Sequence, residues 1–124
     1  MRADERRPIP RRPFGAYART KAEAEKIVLA ANNDQLVTVA LRPPAIWGAG
    51  DVHLLPEILK AVRKRQFVWI NGGRYPYDTC HVRNLCEAAI LAATSSCDGQ
   101  AYFLTDGNRT SFKDFICSLL ATQG

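Results

Sequence analysis

No apolar run in this 124-residue sequence approaches the ~20 residues that a membrane-spanning helix needs. The opening residues carry charges and prolines and no apolar h-region, so no secretory signal is read there. Four cysteines, Cys80, Cys86, Cys97 and Cys117, are scattered with no Cys-x-x-Cys pair, which excludes the paired short spacings that zinc prefers. Cys80 and His81 are adjacent and point to opposite faces of a strand, so no metal site is expected. A disulfide scaffold is out of keeping with so much aliphatic core, and reduced thiols fit a cytoplasmic protein.

Acidic residues are in short supply at one end only. The net charge is +5, yet residues 1–19 hold six arginines against Asp4 and Glu5, a balance of +4. The remaining 11 basic and 10 acidic residues nearly cancel. A nucleic-acid groove needs a basic face interleaved with stacking aromatics, and a proline-broken arginine segment is not one. Lys60, Arg63, Lys64 and Arg65 read as a solvated helix face.

What is present alternates between helical and extended patterns. Pro8, Pro10 and Pro13 make an extended lead-in. A helix fits 16–31, with Ala24, Ile27, Val28 and Ala31 facing the core and Asn32 to Asp34 ending it. Leu36 to Leu41 is nearly continuous in apolarity, as in a parallel strand buried on both faces. Pro43 and Pro44 stop it, and a loop with Gly48 and Gly50 follows. An amphipathic helix fits 54–65, and Phe67 to Ile70 reads as a strand closed by the Asn71-Gly72-Gly73 turn. Residues 78–82 are extended, and Asn84 with Glu87 suggests a capping box before the next helix. Ala101 to Leu104 is a strand, and Ser111 with Asp114 caps a last helix bearing Phe112, Phe115, Ile116, Leu119 and Leu120. The class is α/β.

The chemistry-bearing pair is Tyr17 and Lys21, four apart and so on one helix face. A free phenol titrates near pH ~10, too high to serve as a base at neutral pH. A neighbouring ammonium favours phenolate, and a tyrosine so placed can exchange a proton with a substrate oxygen. Alone, the spacing equally fits a packed tyrosine beside a solvated lysine.

Four ordered segments add to it. Tyr17-Ala18-Arg19-Thr20-Lys21-Ala22-Glu23-Ala24-Glu25 resembles the active-site helix of the extended short-chain dehydrogenases, which read Tyr-x-x-(Ser/Thr)-Lys-x-x-(Ala)-Glu. Leu41-Arg42-Pro43-Pro44-Ala45-Ile46-Trp47-Gly48-Ala49-Gly50-Asp51 is similar to that family's Leu-Arg-Pro-x-x-Ile-Tyr-Gly-Pro-Gly-Asp loop. Cys80-His81-Val82-Arg83-Asn84-Leu85-Cys86-Glu87-Ala88 resembles its His-Val-x-Asp-(Val/Leu)-x-x-Ala segment. Gly99 to Gly107 resembles its Gly-x-x-Tyr-Phe-(Ile/Leu)-x-(Asp/Asn)-Gly ending.

The resemblance implies roles. Tyr17 would be the proton donor or acceptor, and Lys21 would support its phenolate and hydrogen-bond the nicotinamide ribose of NAD or NADP. Backbone atoms around Pro43, Pro44 and Ile46 would meet the nicotinamide amide at the end of a parallel strand. Trp47, Arg74 and Tyr77 would lie on the substrate side. Sugar-nucleotide members commonly place an arginine where Tyr77 stands, so the aromatic favours an uncharged alcohol or ketone of the 3β-hydroxysteroid or dihydroflavonol type. Arg74 keeps a sugar-nucleotide epimerase or dehydratase open. Packing in the core is the plainer account of most of Trp47, Phe67, Trp69 and Tyr75.

The family's Gly-x-x-Gly-x-x-Gly turn is missing from these residues, as is the Ser or Thr expected upstream of the tyrosine. The expected fold is therefore the trailing part of a Rossmann-like parallel sheet with a small substrate-binding lobe. The expectation is one partial domain over 1–124: an active-site helix, strand and nicotinamide-side loop over 1–50, then the substrate side and last sheet elements over 51–124. Such a chain should be inactive alone, with its cofactor bound only in a full-length context and a homodimer left open. A non-catalytic remnant that binds protein is the rival reading.

Overall fold

The computed structural model describes residues 4–5, 10, 13–95 and 99–122. Most of the proline-rich lead-in with its arginines, and Cys97, lie outside these. The elements are α1 (Gly15–Ala30), β1 (Val39–Arg42), β2 (Ala45–Trp47), α2 (Leu54–Arg63), a 3-10 turn (Ile70–Gly73), β3 (Pro76–Tyr77), β4 (Thr79–His81), α3 (Val82–Thr94), β5 (Gln100–Phe103), β6 (Thr110–Ser111) and α4 (Phe112–Ala121). The fold is α/β, with β1 parallel to β5 and β2 parallel to β4. Two compact units interleave along the chain: Met1–Arg42 with Glu87–Phe103, and Pro43–Cys86 with Leu104–Gly124.

In the first unit α1 packs on β1. Its part-buried stripe is Ala18, Ala22, Glu25 and Leu29, not the expected Ala24, Ile27, Val28 and Ala31. Ile27 is 63% exposed and Val28 also lies open. Small alanines and one carboxylate carry little hydropathy, so apolar periodicity chose a stripe rotated by one residue. Glu25 can face inward because Arg42 meets it: Nε donates to Oε2 at 2.8 Å and Nη2 to Oε1 at 2.6 Å. This two-pronged bond holds the Glu25 carboxyl below its ordinary range and raises the guanidinium. The Arg42 guanidinium also lies 5.2 Å from the Phe103 ring centroid, tying the helix pair to β5.

The chain leaves α1 through asparagines. Asn32 Oδ1 accepts from the Thr38 N–H at 2.8 Å, and Asn33 Oδ1 accepts from Gln35 and Leu36. These bonds give the backbone an alternative to further helix. They also spend Leu36 in a turn, so the strand starts at Val39 and not at Leu36, and its residues are half-buried instead of buried on both faces.

The second unit holds every buried residue among those described. Ile58 from α2 and Phe115, Ile116 and Leu119 from α4 form its centre. Asp51 starts α2 by accepting the N–H groups of His53, Leu54 and Leu55 at 2.8, 2.9 and 2.7 Å. Ser111 starts α4, as expected, by accepting from the Asp114 N–H at 3.0 Å. Phe112 extends the centre by stacking on Tyr75 and meeting Trp69 and Tyr77 edge-on.

Three expectations fail here for one reason, the availability of partners. Phe67 to Ile70 forms no strand: Phe67 and Trp69 turn into the aromatic cluster, leaving Val68 and Ile70 exposed. Ala45–Trp47, expected as loop, pairs with Thr79–His81 and becomes β2. Helix α3 begins at Val82, so Asn84 lies inside its first turn and its amide serves Asp106 instead of a capping box. Gly73, at φ +67°, ends the Asn71-Gly72-Gly73 turn where a Cβ would meet the Trp69 ring at 2.8 Å.

Glu25→Gln should cost about 1–2 kcal/mol in urea unfolding, because it removes the charge from a pair whose side chains are only 16–19% exposed. The loss should shrink as pH falls through the depressed Glu25 pKa, where the wild-type carboxylate also gains its proton. Equal stability of the two proteins at pH 7 would remove the pair from the list of stabilising contacts.

Candidate functional site

Helix α1 sets Tyr17 and Lys21 one turn apart, and the Lys21 Nζ stands 5.8 Å from the Tyr17 ring centroid. Thr20, between them, turns its hydroxyl back to the Tyr17 carbonyl at 2.9 Å and leaves the face to the other two. Tyr17 is 76% exposed. A phenol and an ammonium are therefore presented together to the outside of the first unit.

The other expected site residues belong to the second unit. Pro43 and Pro44 follow β1, and Ile46 lies in β2 with its side chain open. Trp47 points inward, with its ring edge-on to His81 at 4.7 Å and to Phe115 at 5.9 Å. Tyr77 is part of the aromatic core, 5.0 Å from Phe112 and 5.7 Å from Phe115, and burial pushes its phenol pKa up. Arg74 is exposed beside the 3-10 turn. The structure gathers Ile46 and Trp47 at one cavity of about 320 Å³, walled also by Gly48, Val52, Leu54 and Val82. Arg74 and Tyr77 do not line it. The Asp51 carboxylate at its rim is engaged by the N-terminal amides of α2, which hold its pKa low against the opposing effect of burial. The lining is thus mainly apolar.

Sequence reasoning missed the residue that organises this unit. The sequence offers Asp106 only within the Gly99 to Gly107 segment, as part of its Asp-Gly ending. Its Oδ2 accepts from Trp47 Nε1 at 2.8 Å and from Thr79 Oγ1 at 2.7 Å. Its Oδ1 accepts from the His81 N–H at 2.6 Å and from Asn84 Nδ2 at 2.7 Å. Its own N–H donates to the Thr79 carbonyl at 2.8 Å. Burial alone would raise the carboxyl pKa, but the His81, Trp47, Thr79 and Asn84 donors outweigh it and bring it to about 2. The available signal was a mismatch with the family pattern. The resemblance has Asp where this chain has Asn84, and an amide at that position is what a carboxylate at 106 can bind.

Comparison with known proteins shows which family the chain resembles. The model of the 3-beta hydroxysteroid dehydrogenase/isomerase family matches residues 1–124. The 4-hydroxy-2-methyl-3-oxo-4-farnesyl-3,4-dihydroquinoline-1-oxide ketoreductase of Stigmatella aurantiaca is 48% identical over the whole chain, which spans 37% of that relative. The decarboxylating sterol-4-alpha-carboxylate 3-dehydrogenase of Schizosaccharomyces pombe is 33% identical, again over the whole chain and 38% of the relative. The chain thus spans little more than a third of the length of these curated relatives. Among solved structures, the NAD complex of dTDP-glucose 4,6-dehydratase from Bacillus anthracis superposes with a TM-score of 0.74 at 21% identity, over all of this chain and 41% of that one. That likeness establishes a shared fold.

Asp106 makes stability depend on acid. Its folded pKa of about 2 lies below the ordinary 3.8, so its contribution is complete above pH ~4 and is lost as pH falls towards 2. The shift corresponds to at most about 2 kcal/mol, and partial exposure of the carboxylate reduces this to about 1–2. Asp106→Asn should unfold at lower urea at pH 7 and show a flatter stability profile between pH 4 and 2. Parallel profiles for the two proteins would show that the carboxylate is not the acid-sensitive group.

Proposed function

The chain belongs to the 3-beta hydroxysteroid dehydrogenase/isomerase family, and on that basis we propose that it is the catalytic-side part of an NAD(P)-dependent oxidoreductase acting on an alcohol or ketone of an apolar small molecule. The observation that carries this is the Tyr17–Lys21 pair, presented on one exposed face of α1 with the ammonium near the ring.

In this reading NAD or NADP supplies or accepts the hydride. Tyr17 passes a proton to or from the substrate oxygen, and Lys21 supplies the positive charge beside it and a donor for the cofactor's ribose. The backbone at Pro43, Pro44 and Ile46 would hold the nicotinamide amide. That segment follows the C-terminal end of a parallel strand, where open α/β sheets receive ligands. The residues present fit the nicotinamide side of a dinucleotide. They do not fit its pyrophosphate, because these 124 residues contain no Gly-x-x-Gly-x-x-Gly turn to bring backbone amides close to it.

The cavity beside Ile46 and Trp47 supports an uncharged substrate. Its volume is at the lower end of the roughly 300–1,000 Å³ usual for small-molecule sites, and its one carboxylate is already engaged. A phosphate there would find no arginine, since Arg74 is not in the wall. The names of two relatives specify a farnesyl-bearing ketone and a sterol that carries a carboxylate, both with large apolar bodies. We further place the protein in the cytoplasm: Cys80, Cys86 and Cys117 are all unpaired thiols. No helix among the described residues is long and apolar enough to cross a membrane.

The test is a splice. These 124 residues should be exchanged for the matching segment of the Stigmatella aurantiaca relative, and oxidation of NAD(P)H followed with an apolar ketone. Turnover is expected, with Tyr17→Phe lowering kcat about 10²–10⁴-fold, while the 124-residue polypeptide by itself gives none. A folded, cofactor-binding splice that stays inactive, or one indifferent to Tyr17→Phe, would refute the assignment.

The first unit leaves Phe14, Ile27, Val28, Val37, Ile90 and Leu91 exposed, and a second copy of the chain is the proposed cover. Melting of the chain should therefore depend on protein concentration. A sharp monomeric transition that is independent of concentration would exclude a homodimer.

A further inference from the structure

We propose that Asp106 is a positioning residue, which fixes the Pro43–Gly48 segment through the Trp47 indole and so sets both the backbone facing the nicotinamide and the wall of the adjoining cavity. This rests on the functional reading above.

The local geometry shows why such a residue is needed. Strand β2 has three residues and pairs with three of β4, too short a ladder to hold its own register firmly. One carboxylate spans both strands. It takes the Trp47 indole from β2, and from β4 the Thr79 hydroxyl and His81 amide, while its own N–H binds the Thr79 carbonyl. A carboxylate offers about four acceptor positions, and here four donors fill them, Asn84 being the fourth. Nothing is left for a substrate, so Asp106 acts through Trp47 and not by contact.

The next residue shows how closely the segment is held. Gly48, at φ +136°, sits where a Cβ would lie 2.8 Å from Val82 Cγ1 and 3.1 Å from His81 Nε2. The indole bond and this close approach fix two successive residues. Ile46 and Trp47 both line the cavity, so a shift of β2 moves the proposed cofactor-facing backbone and the cavity wall together.

The bonding pattern gives a specific genetic test. Leucine at 106 is close to aspartate in size and accepts nothing, so the Trp47 indole, the Thr79 hydroxyl, the His81 N–H and the Asn84 amide all lose their acceptor. Asparagine is the conservative variant: its Oδ1 can still accept from Trp47 and Thr79, the Asn84 amide can turn to accept its Nδ2, and the His81 N–H alone is left unmet.

Hydrogen exchange of the Trp47 indole N–H, followed by NMR in the 124-residue chain, should speed up about tenfold or more in Asp106→Leu, the worth of one charge-assisted hydrogen bond. The Asp106→Asn protein should stay within a few-fold of wild type. Trp69, the second tryptophan, is the internal control and should not change. In the spliced enzyme, Asp106→Leu should raise KM for NAD(P)H about tenfold, and Asp106→Asn should restore most of it. If Asp106→Leu does not fold, Trp47→Phe carries the measurement in the splice: it keeps a ring, removes the indole N–H and should raise the same KM, and an unchanged KM overturns the proposal. Unchanged indole exchange in a folded Asp106→Leu, or an active splice whose KM ignores Asp106→Leu, also overturns it. An inactive wild-type splice refutes the functional reading instead, and the indole exchange then decides the positioning claim alone.

Discussion

A single carboxylate, Asp106, receives four hydrogen bonds that come from β2, β4 and the first turn of α3. The second unit needs such a contact because its sheets are minimal: β2 and β4 have three residues each, β3 and β6 two. Ladders of that length supply too few backbone bonds to select their own register. The carboxylate does so by demanding donors at fixed places, and the aromatic packing of Trp47 on His81 and Phe115 then closes round it. A charged group inside a protein is stabilising only when its acceptor capacity is met, and here it is. The low carboxyl pKa is the electrostatic expression of that condition.

The first unit relies on a different device. It has no buried residue among those described, so apolar burial contributes less there and the Glu25–Arg42 pair takes a larger share in setting α1 against β1. The two residues belong to separate motifs, one in the Tyr-x-x-x-Lys helix and one in the Leu-Arg-Pro segment. Their contact explains why a glutamate and an arginine belong in those motifs even though neither is assigned any chemistry. It fixes the helix that carries Tyr17 and Lys21 relative to the strand that leads into Pro43.

Some features set by near neighbours were legible, although the inward stripe of α1 and the Asn84 cap were not. The spacing of Tyr17 and Lys21, the ends of α1 at the asparagines and the Ser111 cap of α4 all follow from neighbours within a few positions. Elements that depend on distant partners were not. Phe67 to Ile70 has the alternation of a strand, but no strand stands beside it, and its aromatics find rings instead. Ala45–Trp47 looks like loop after two prolines, but Thr79–His81 completes it. Trp47 could be named as substrate-side or as core and Tyr77 only as substrate-side, and ring contacts place both in packed positions.

The α/β class, the family and the helix that carries the tyrosine and lysine are all read from the sequence, because each is encoded in residue type at short spacing. Only the tertiary structure decided which face of α1 is inward, which short segments pair as strands, and that Asp106 is the centre of its unit. Those depend on groups 17 to 59 residues apart meeting at hydrogen-bond distance. A carboxylate's worth is set by the donors that the rest of the chain brings to it, and no local pattern records them.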